Sequence, residues 1–169
     1  ALATGLLYGR FSRPRARILF SNTALITRRA NGTPSLQFRV ASRSHSILVD
    51  LRARVLLQFT DAEGNRVYHS LPLERDSVYF FPLNWTIVHD ITPDSPLHHL
   101  SAADLHARQA EILILLKGYD DTFAQDVHAR NSYRYDEIQW NRRFVRAYTV
   151  EDDGIVALDL DMLHETEEW

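Results

Sequence analysis

The feature that most constrains the fold of this chain is a succession of about ten or eleven short apolar or branched runs, spaced roughly 8–12 residues apart. The run at 46–59, SILVDLRARVLLQF, alternates apolar residues with Arg52 and Arg54, as a strand with one buried face does. Asn31-Gly32 and Asp153-Gly154 each separate two such runs and favour tight hairpin turns. The pattern predicts an all-β sandwich in a single domain, because no repeat or low-complexity linker interrupts it.

Two segments break the strand pattern. SAADLHARQ (101–109) predicts a short helix, since Ser101 and Asp104 have the spacing of a capping box. MLHETEE (162–168) predicts a second short helical segment. TPDSPL (92–97) predicts an irregular loop, because each proline disfavours the helical conformation in the residue before it.

The composition excludes several classes of protein. The chain has no cysteine, which removes disulfides, thiol catalysis and cysteine zinc sites and fits a reducing compartment. The longest apolar run, ILILL (112–116), is too short to span a bilayer. The start of the chain lacks the basic leader and cleavage context of a signal peptide, so none is predicted.

Motifs of catalytic and metal sites are missing from the sequence. There is no GxSxG, Walker or GxGxxG motif, and none of the eight histidines forms an HExxH pair. Ser44 and His45 are adjacent, but neighbours on a strand point to opposite faces and form no dyad. The sequence therefore predicts neither an enzyme nor a resident metal or cofactor.

Charge is distributed unevenly along the chain. Residues 1–49 contain eight arginines and no acid, whereas all 22 acids lie from Asp50 onward. The segment GRFSRPRAR (9–17) follows an apolar stretch, as basic residues do where a chain leaves a membrane on its cytoplasmic side and meets anionic lipid. A solvated arm or a nucleic-acid arm is the alternative, but the acidic remainder argues against nucleic acid as a partner. The candidate lipid-binding residues are Arg10, Arg13, Arg15 and Arg17.

Five segments, in order and without large gaps, resemble the cytoplasmic domain of inward-rectifier potassium channels, the bacterial branch in particular. They cover essentially the whole chain: YGRFSRPRARILFS near the start, HDITPDSPL (89–97), LLKGYDDTFAQDVHARNSY (115–133), DEIQWNRRF (136–144) and LDLDMLHET (158–166).

The resemblance implies an architecture. It implies an immunoglobulin-like β sandwich at 18–169, preceded by a stub of the pore-lining inner helix (1–8) and a basic linker (9–17). It further implies a homotetramer around a fourfold axis at the cytoplasmic face of the cell membrane. The domain would line the cation pathway and couple lipid binding to gating. Potassium, magnesium or polyamine would occupy the pore transiently.

The resemblance also implies roles for particular residues. Arg10, Arg13, Arg15 and Arg17 match the basic region that binds phosphoinositide-type anionic lipid; such lipids activate eukaryotic members and inhibit bacterial ones, which leaves the sign of the effect here open. Asp50 and Lys117 match positions that line the pore. The constriction loop of the family matches the segment formed by Gly118, Tyr119, Asp120, Asp121, Thr122 and Phe123.

One departure limits the comparison with strongly rectifying members. They carry an acid immediately before the loop glycine, where this chain has Lys117. High-affinity block by polyamines is therefore not expected. The alternative to a channel domain is a stand-alone β-sandwich module that binds a protein partner through an exposed edge or loop.

Overall fold

The computed structural model describes residues 18–169, so the predicted helix stub (1–8) and basic linker (9–17) lie outside the described residues. The described part contains fourteen strands, one α-helix and two 3-10 turns, at Tyr135–Glu137 and Asp161–Leu163. The strands and helix, in chain order, are β1 Ile18–Phe20, β2 Ala24–Arg28, β3 Pro34–Ser42, β4 Leu48–Thr60, β5 Arg66–Ser70, β6 Ser77–Phe80, β7 Asn84–Asp90, α1 Ala102–Ala107, β8 Glu111–Asp120, β9 Gln125–Arg134, β10 Ile138–Trp140, β11 Arg142–Phe144, β12 Tyr148–Val150, β13 Val156–Leu158 and β14 Thr166–Glu168.

The strands of the described part form two five-stranded sheets and two small two-stranded ones. In the first large sheet, β3 pairs with β7 along one edge and with β1 and β2 along the other. In the second, β4 pairs with β8 along one edge and with β5 and β6 along the other, and β9 continues the sheet beyond β8. This arrangement, with one short helix, confirms the predicted all-β sandwich.

The core lies between the two large sheets, where strand residues of alternating position meet. Phe38, Val40 and Ile87 come from the first sheet, and Leu51 and Leu116 come from the second. The arginines that alternate with the buried residues of β4 are exposed, as the sequence pattern predicted. The same alternation gives the second sheet an outward face, which carries the predicted pore-lining positions.

Local signals in the sequence were correct at several turns. Gly32 and Gly154 have φ of 84° and 82° in the β2–β3 and β12–β13 hairpins, a conformation that glycine adopts without strain. Helix α1 begins after Ser101, and the predicted capping box with Asp104 is formed in both directions. No helix within residues 18–169 is long and apolar enough to cross a membrane.

Two predictions of secondary structure were wrong. MLHETEE is not helical: a 3-10 turn buries Leu163, and Thr166–Glu168 then pairs with β11 as strand β14. The segment YRYDEIQW (133–140) is one of the ten or eleven short runs that the sequence pattern predicts as strands. It is not one strand, because the 3-10 turn Tyr135–Glu137 separates the end of β9 from β10. In both places pairing with a distant strand determines the local conformation, which a single sequence does not reveal.

Candidate functional site

The four candidate lipid-binding residues, Arg10, Arg13, Arg15 and Arg17, lie outside the described residues. Their role therefore stays a prediction. The other candidate residues all lie at one end of the second large sheet, where β4, β8 and β9 meet.

The β8–β9 turn, residues 121–124, is organised by the carboxylate of Asp120. This residue is only 4% exposed, and its Oδ1 accepts hydrogen bonds from the backbone N–H groups of Thr122 (2.9 Å) and Phe123 (3.1 Å). Asp121, directly beside it, is exposed. The two adjacent carboxylates thus have different surroundings, because one shapes the turn from inside and only the other presents its charge to solvent.

The β8–β9 turn is also fastened to the chain that leads into β4. The backbone N–H of Asp121 donates to the carbonyl of Ile47 at 2.9 Å, and the N–H of Ile47 donates to Oγ1 of Thr122 at 3.1 Å. These reciprocal bonds fix the position of the turn relative to the start of β4. Any movement of the turn therefore involves the β4 entry as well.

A β-bulge in β4 lies opposite the glycine of the predicted loop. The pairing of β4 with β8 shifts register between Val49 and Arg52, and Asp50 has φ of 48° in the left-handed region. A Cβ atom on Gly118 would lie 2.6 Å from Cδ1 of buried Leu51, which is closer than van der Waals contact allows. Glycine at position 118 is thus explained by close packing against the bulge.

Four of the predicted residues line a single depression of about 600 Å³ on the outward face of the sheet: Asp50, Lys117, Gly118 and Tyr119. The β8–β9 turn lies beyond its rim, since Tyr119 is the residue before Asp120. The structure thereby brings together residues that lie 67 positions apart in the sequence, from Asp50 to Lys117.

The charge in this depression is mixed. Asp50 accepts hydrogen bonds from Arg52, with its Oδ1 3.2 Å from Nε and its Oδ2 3.3 Å from Nη2. Arg52 also lies directly opposite Lys117 in the β4–β8 pairing. Sequence reasoning missed Arg52 as a neighbour of the predicted site, although its alternation with buried residues already placed it on the outward face.

A second polar cluster, remote in sequence, joins β7 to the segment after β5. His89 is 3% exposed, with Nδ1 2.6 Å from the carbonyl oxygen of Pro72 and Nε2 2.7 Å from Oγ of Ser95. A carbonyl only accepts, so Nδ1 carries the proton, and in the neutral ring Nε2 accepts from the Ser95 hydroxyl. Burial lowers the pKa of His89, which favours this neutral ring.

Beside this cluster, Arg29 bridges two carboxylates. Its Nη1 donates to both oxygens of Asp90, at 3.0 and 3.1 Å, and its Nη2 donates to Glu74. The hydrogen bonds to Glu74 and then to Asp90 raise the pKa of Arg29. Nothing in this cluster suggests a metal site, and residues 18–169 contain no group of three or more potential protein ligands arranged around a metal position.

The sequence of the chain matches one family model and is similar to several known proteins. A family model described as "Inward rectifier potassium channel C-terminal domain" matches residues 18–169. The chain is 37% identical over 169 residues to "Inward rectifier potassium channel Kirbac3.1" of Paramagnetospirillum magnetotacticum, covering 98% of this chain and 57% of the relative. It is 34% identical over 152 residues to "ATP-sensitive inward rectifier potassium channel 8" of Homo sapiens, covering 84% of this chain and 35% of the relative. The chain thus spans little more than half of the bacterial relative and about a third of the human one.

Proposed function

The chain belongs to the inward rectifier potassium channel C-terminal domain family, and we propose that it forms the cytoplasmic, pore-lining and gating part of such a channel. The family is one of channel domains and not of enzymes. In the proposed assembly four copies surround a fourfold axis and extend the ion pathway from the membrane into the cytoplasm. The observation that supports this most directly is the family match over every described residue.

Asp50, Lys117 and Tyr119 cluster around one depression, which supports the proposal because the resemblance implies that Asp50 and Lys117 line the pore and that Tyr119 belongs to the constriction loop. In a ring of four subunits their charges would act together on ions in a narrow lumen. Within the predicted loop, Asp121 is the carboxylate that can face such a lumen, whereas the Asp120 carboxylate caps the turn.

Gating would follow from a rigid-body movement of the subunits that widens or narrows the ring of β8–β9 turns. The hydrogen bonds between the turn and Ile47 support movement of the turn together with β4, not as a separate flap. Anionic lipid at Arg10, Arg13, Arg15 and Arg17 would bias this movement if it binds one arrangement of subunits more tightly than the other.

Distance measurements between subunits test the assembly. This chain lacks cysteine, so Asp121→Cys provides its only site for a spin label. The measurement uses the full-length protein in lipid, with any cysteine outside this chain replaced by serine. A fourfold ring predicts two distances, the side and the diagonal of a square, in a ratio of about 1.4. The control Asp153→Cys, on the exposed β12–β13 hairpin, should give the same ratio at longer distances. A monomer, or distances shorter at 153 than at 121, would contradict the proposed position of the turn near the axis.

Vesicle binding tests the lipid role. Arg13→Ala with Arg15→Ala should weaken binding to vesicles containing phosphoinositide by roughly 30-fold, if each arginine contributes ~1 kcal/mol, and added salt should weaken it further. The matched control pair, Arg66→Ala with Arg75→Ala, removes two exposed arginines of the sandwich and should leave binding unchanged. Equal losses in both pairs would mean that binding reflects total charge and not the basic linker.

A further inference from the structure

The outward face of the second sheet carries basic side chains in neighbouring rows. Arg52 on β4 is paired with Lys117 on β8, which is paired with His128 on β9. In the next row, Arg54 on β4 and Arg130 on β9 flank Leu115. Neighbouring strands lie about 4.8 Å apart, so four permanent cations share an area roughly 10 Å across.

Within residues 18–169, three of these cations have no acidic partner at ion-pair distance. The ion pairs of residues 18–169 occupy Arg29, Arg52, Arg134 and Arg143, and none involves Arg54, Lys117 or Arg130. Four acids lie on or beside the face. Asp50 is already bonded to Arg52, and Asp126 lines the same depression as Lys117. Asp76 lines the larger depression, Glu111 lies further along the outward side of β8, and none of the four is within ion-pair distance of Arg54, Lys117 or Arg130. Like charges on adjacent strands repel, so the sheet bears a local cost that a bound anion would relieve.

The surface around the basic rows is concave. The depression of about 600 Å³ at Arg52 and Lys117 lies at one end, and a larger one of about 1020 Å³ contains Arg54 and Arg130. The larger depression is also lined by Ser132, which follows Arg130 on the outward side of β9 and carries a hydroxyl that can donate a further hydrogen bond. A compact ligand can therefore be contacted from several sides, in contrast to a solvated charge on a convex surface.

We propose that this face, through Arg52, Arg54, Lys117 and Arg130, binds a soluble ligand that carries several phosphate groups. Guanidinium groups match phosphate oxygens in a two-pronged geometry, and the ammonium group of Lys117 adds a mobile donor between them. Several linked phosphates fit the spacing of the rows better than a single anion does. The site is formed by one subunit, so it requires neither the tetramer nor the lipid contact proposed above.

Titration of the whole chain with inorganic tripolyphosphate, followed by calorimetry, tests the site. Lys117→Gln with Arg130→Gln should weaken binding at least tenfold, since two charge-assisted contacts are removed. Both side chains are exposed, so the variant should keep the melting temperature of the parent protein. Tripolyphosphate should also bind more tightly than sulfate at equal ionic strength.

The basic linker offers a competing anion site, and matched variants separate the two. Arg13→Gln with Arg15→Gln, and Arg28→Gln with Arg66→Gln, remove the same charge elsewhere and should each change the affinity less than about twofold. If the linker pair abolishes binding while the Lys117/Arg130 pair does not, the proposal is wrong. Equal affinities for tripolyphosphate and sulfate would also overturn the proposal, because the basic rows would then attract anions by net charge alone, without recognising linked phosphates.

A lipid headgroup shares the phosphate chemistry, and vesicles distinguish it from a soluble ligand. The Lys117→Gln, Arg130→Gln variant should bind phosphoinositide vesicles as the parent protein does, because the proposed lipid contact is the basic linker. If this variant loses vesicle binding and the parent protein ignores tripolyphosphate, the ligand of the face is a lipid and the soluble ligand is ruled out.

Discussion

At the scale of single residues, the adjacent carboxylates Asp120 and Asp121 show that two chemically identical neighbours can have different structural roles. Asp120 accepts two backbone hydrogen bonds in a buried position, whereas Asp121 is exposed. The resemblance to the channel family placed both residues in the candidate constriction loop. It could not divide them, because the division depends on the direction of one side chain at the end of β8.

Replacing each carboxylate in turn should give unequal effects on stability. Asp120→Ala leaves the N–H groups of Thr122 and Phe123 without their acceptor and should lower the free energy of unfolding by about 1–3 kcal/mol. Asp121→Ala should change it by less than about 0.5 kcal/mol. Urea unfolding of the two variants measures the difference, and equal losses would argue against a capping role for Asp120.

Gly118 provides a second prediction at this scale. Gly118→Ala places a methyl group against buried Leu51 and should cost about 1–3 kcal/mol of unfolding free energy through overpacking. In the double variant with Leu51→Ala the obstruction is gone, so the added cost of the alanine should largely disappear. Urea unfolding of the two single variants and the double variant gives a double-mutant cycle. If the losses of unfolding free energy in the single variants simply add in the double variant, the methyl group at position 118 does not clash with Leu51.

At the scale of elements, strand β7 is connected to the loops around it by side chains as well as by its ladder. His89 joins β7 to Pro72 and Ser95, and Asp90 joins it to Arg29. The loop at 92–97 was predicted correctly as irregular from its prolines. Its attachment to His89 was not predictable, because it depends on how the loop after β7 folds back onto that strand.

The neutral His89 ring should make stability depend on pH. Its pKa in the folded protein lies below the ordinary value of about 6.5, so the unfolded chain takes up the proton first as the pH falls. The contribution of His89 is complete above about pH 6.5 and is lost progressively below it. The charged groups beside the ring are Asp90, which follows it in β7, and Arg29, which bonds both Asp90 and Glu74.

Urea unfolding between pH 7.5 and 5.5 measures this dependence. His89→Gln removes the titrating ring and should flatten the decline relative to the parent protein. Ser95→Ala removes one partner but keeps the ring, so it should lower stability throughout while retaining a decline. A decline that is the same in all three proteins would assign the pH dependence to other groups.

At the scale of the whole molecule, the charge at position 117 should determine how the proposed pore treats polyvalent cations. In the full-length protein, if it assembles as proposed, Lys117→Glu reverses one charge per subunit and should strengthen block by polyamines by placing an acid before the loop glycine. The control Arg66→Glu makes the same reversal at an exposed position on β5. Current recordings with internal polyamine measure the block; an unchanged block in Lys117→Glu would mean that this position does not face the pore.

The phosphate-rich ligand proposed for the same face would also add negative charge near the lumen.

The sandwich as a whole was predictable because its signals are local: alternation in β4, Asn31-Gly32 in a hairpin and Ser101 at a helix start. The features that assemble the site are not local. The bulge at Asp50, the pairing of Arg52 with Lys117 and the strand β14 all depend on which distant strand lies alongside. The sequence and its family resemblance could therefore name candidate residues, whereas the contacts among them required the structure.

The register between β4, β8 and β9 has a consequence for how this domain can change in length. Ala53, Leu116 and Ala129 form a buried row, and the basic rows lie one residue away on either side. A single inserted residue in β8 would turn Lys117 inward and Leu116 outward, so the core and the charged face would be lost together. In a mutational scan, the protein should therefore tolerate insertions and deletions only in turns such as 61–65 and 151–155. A change of length between Leu113 and Gly118 should abolish folding.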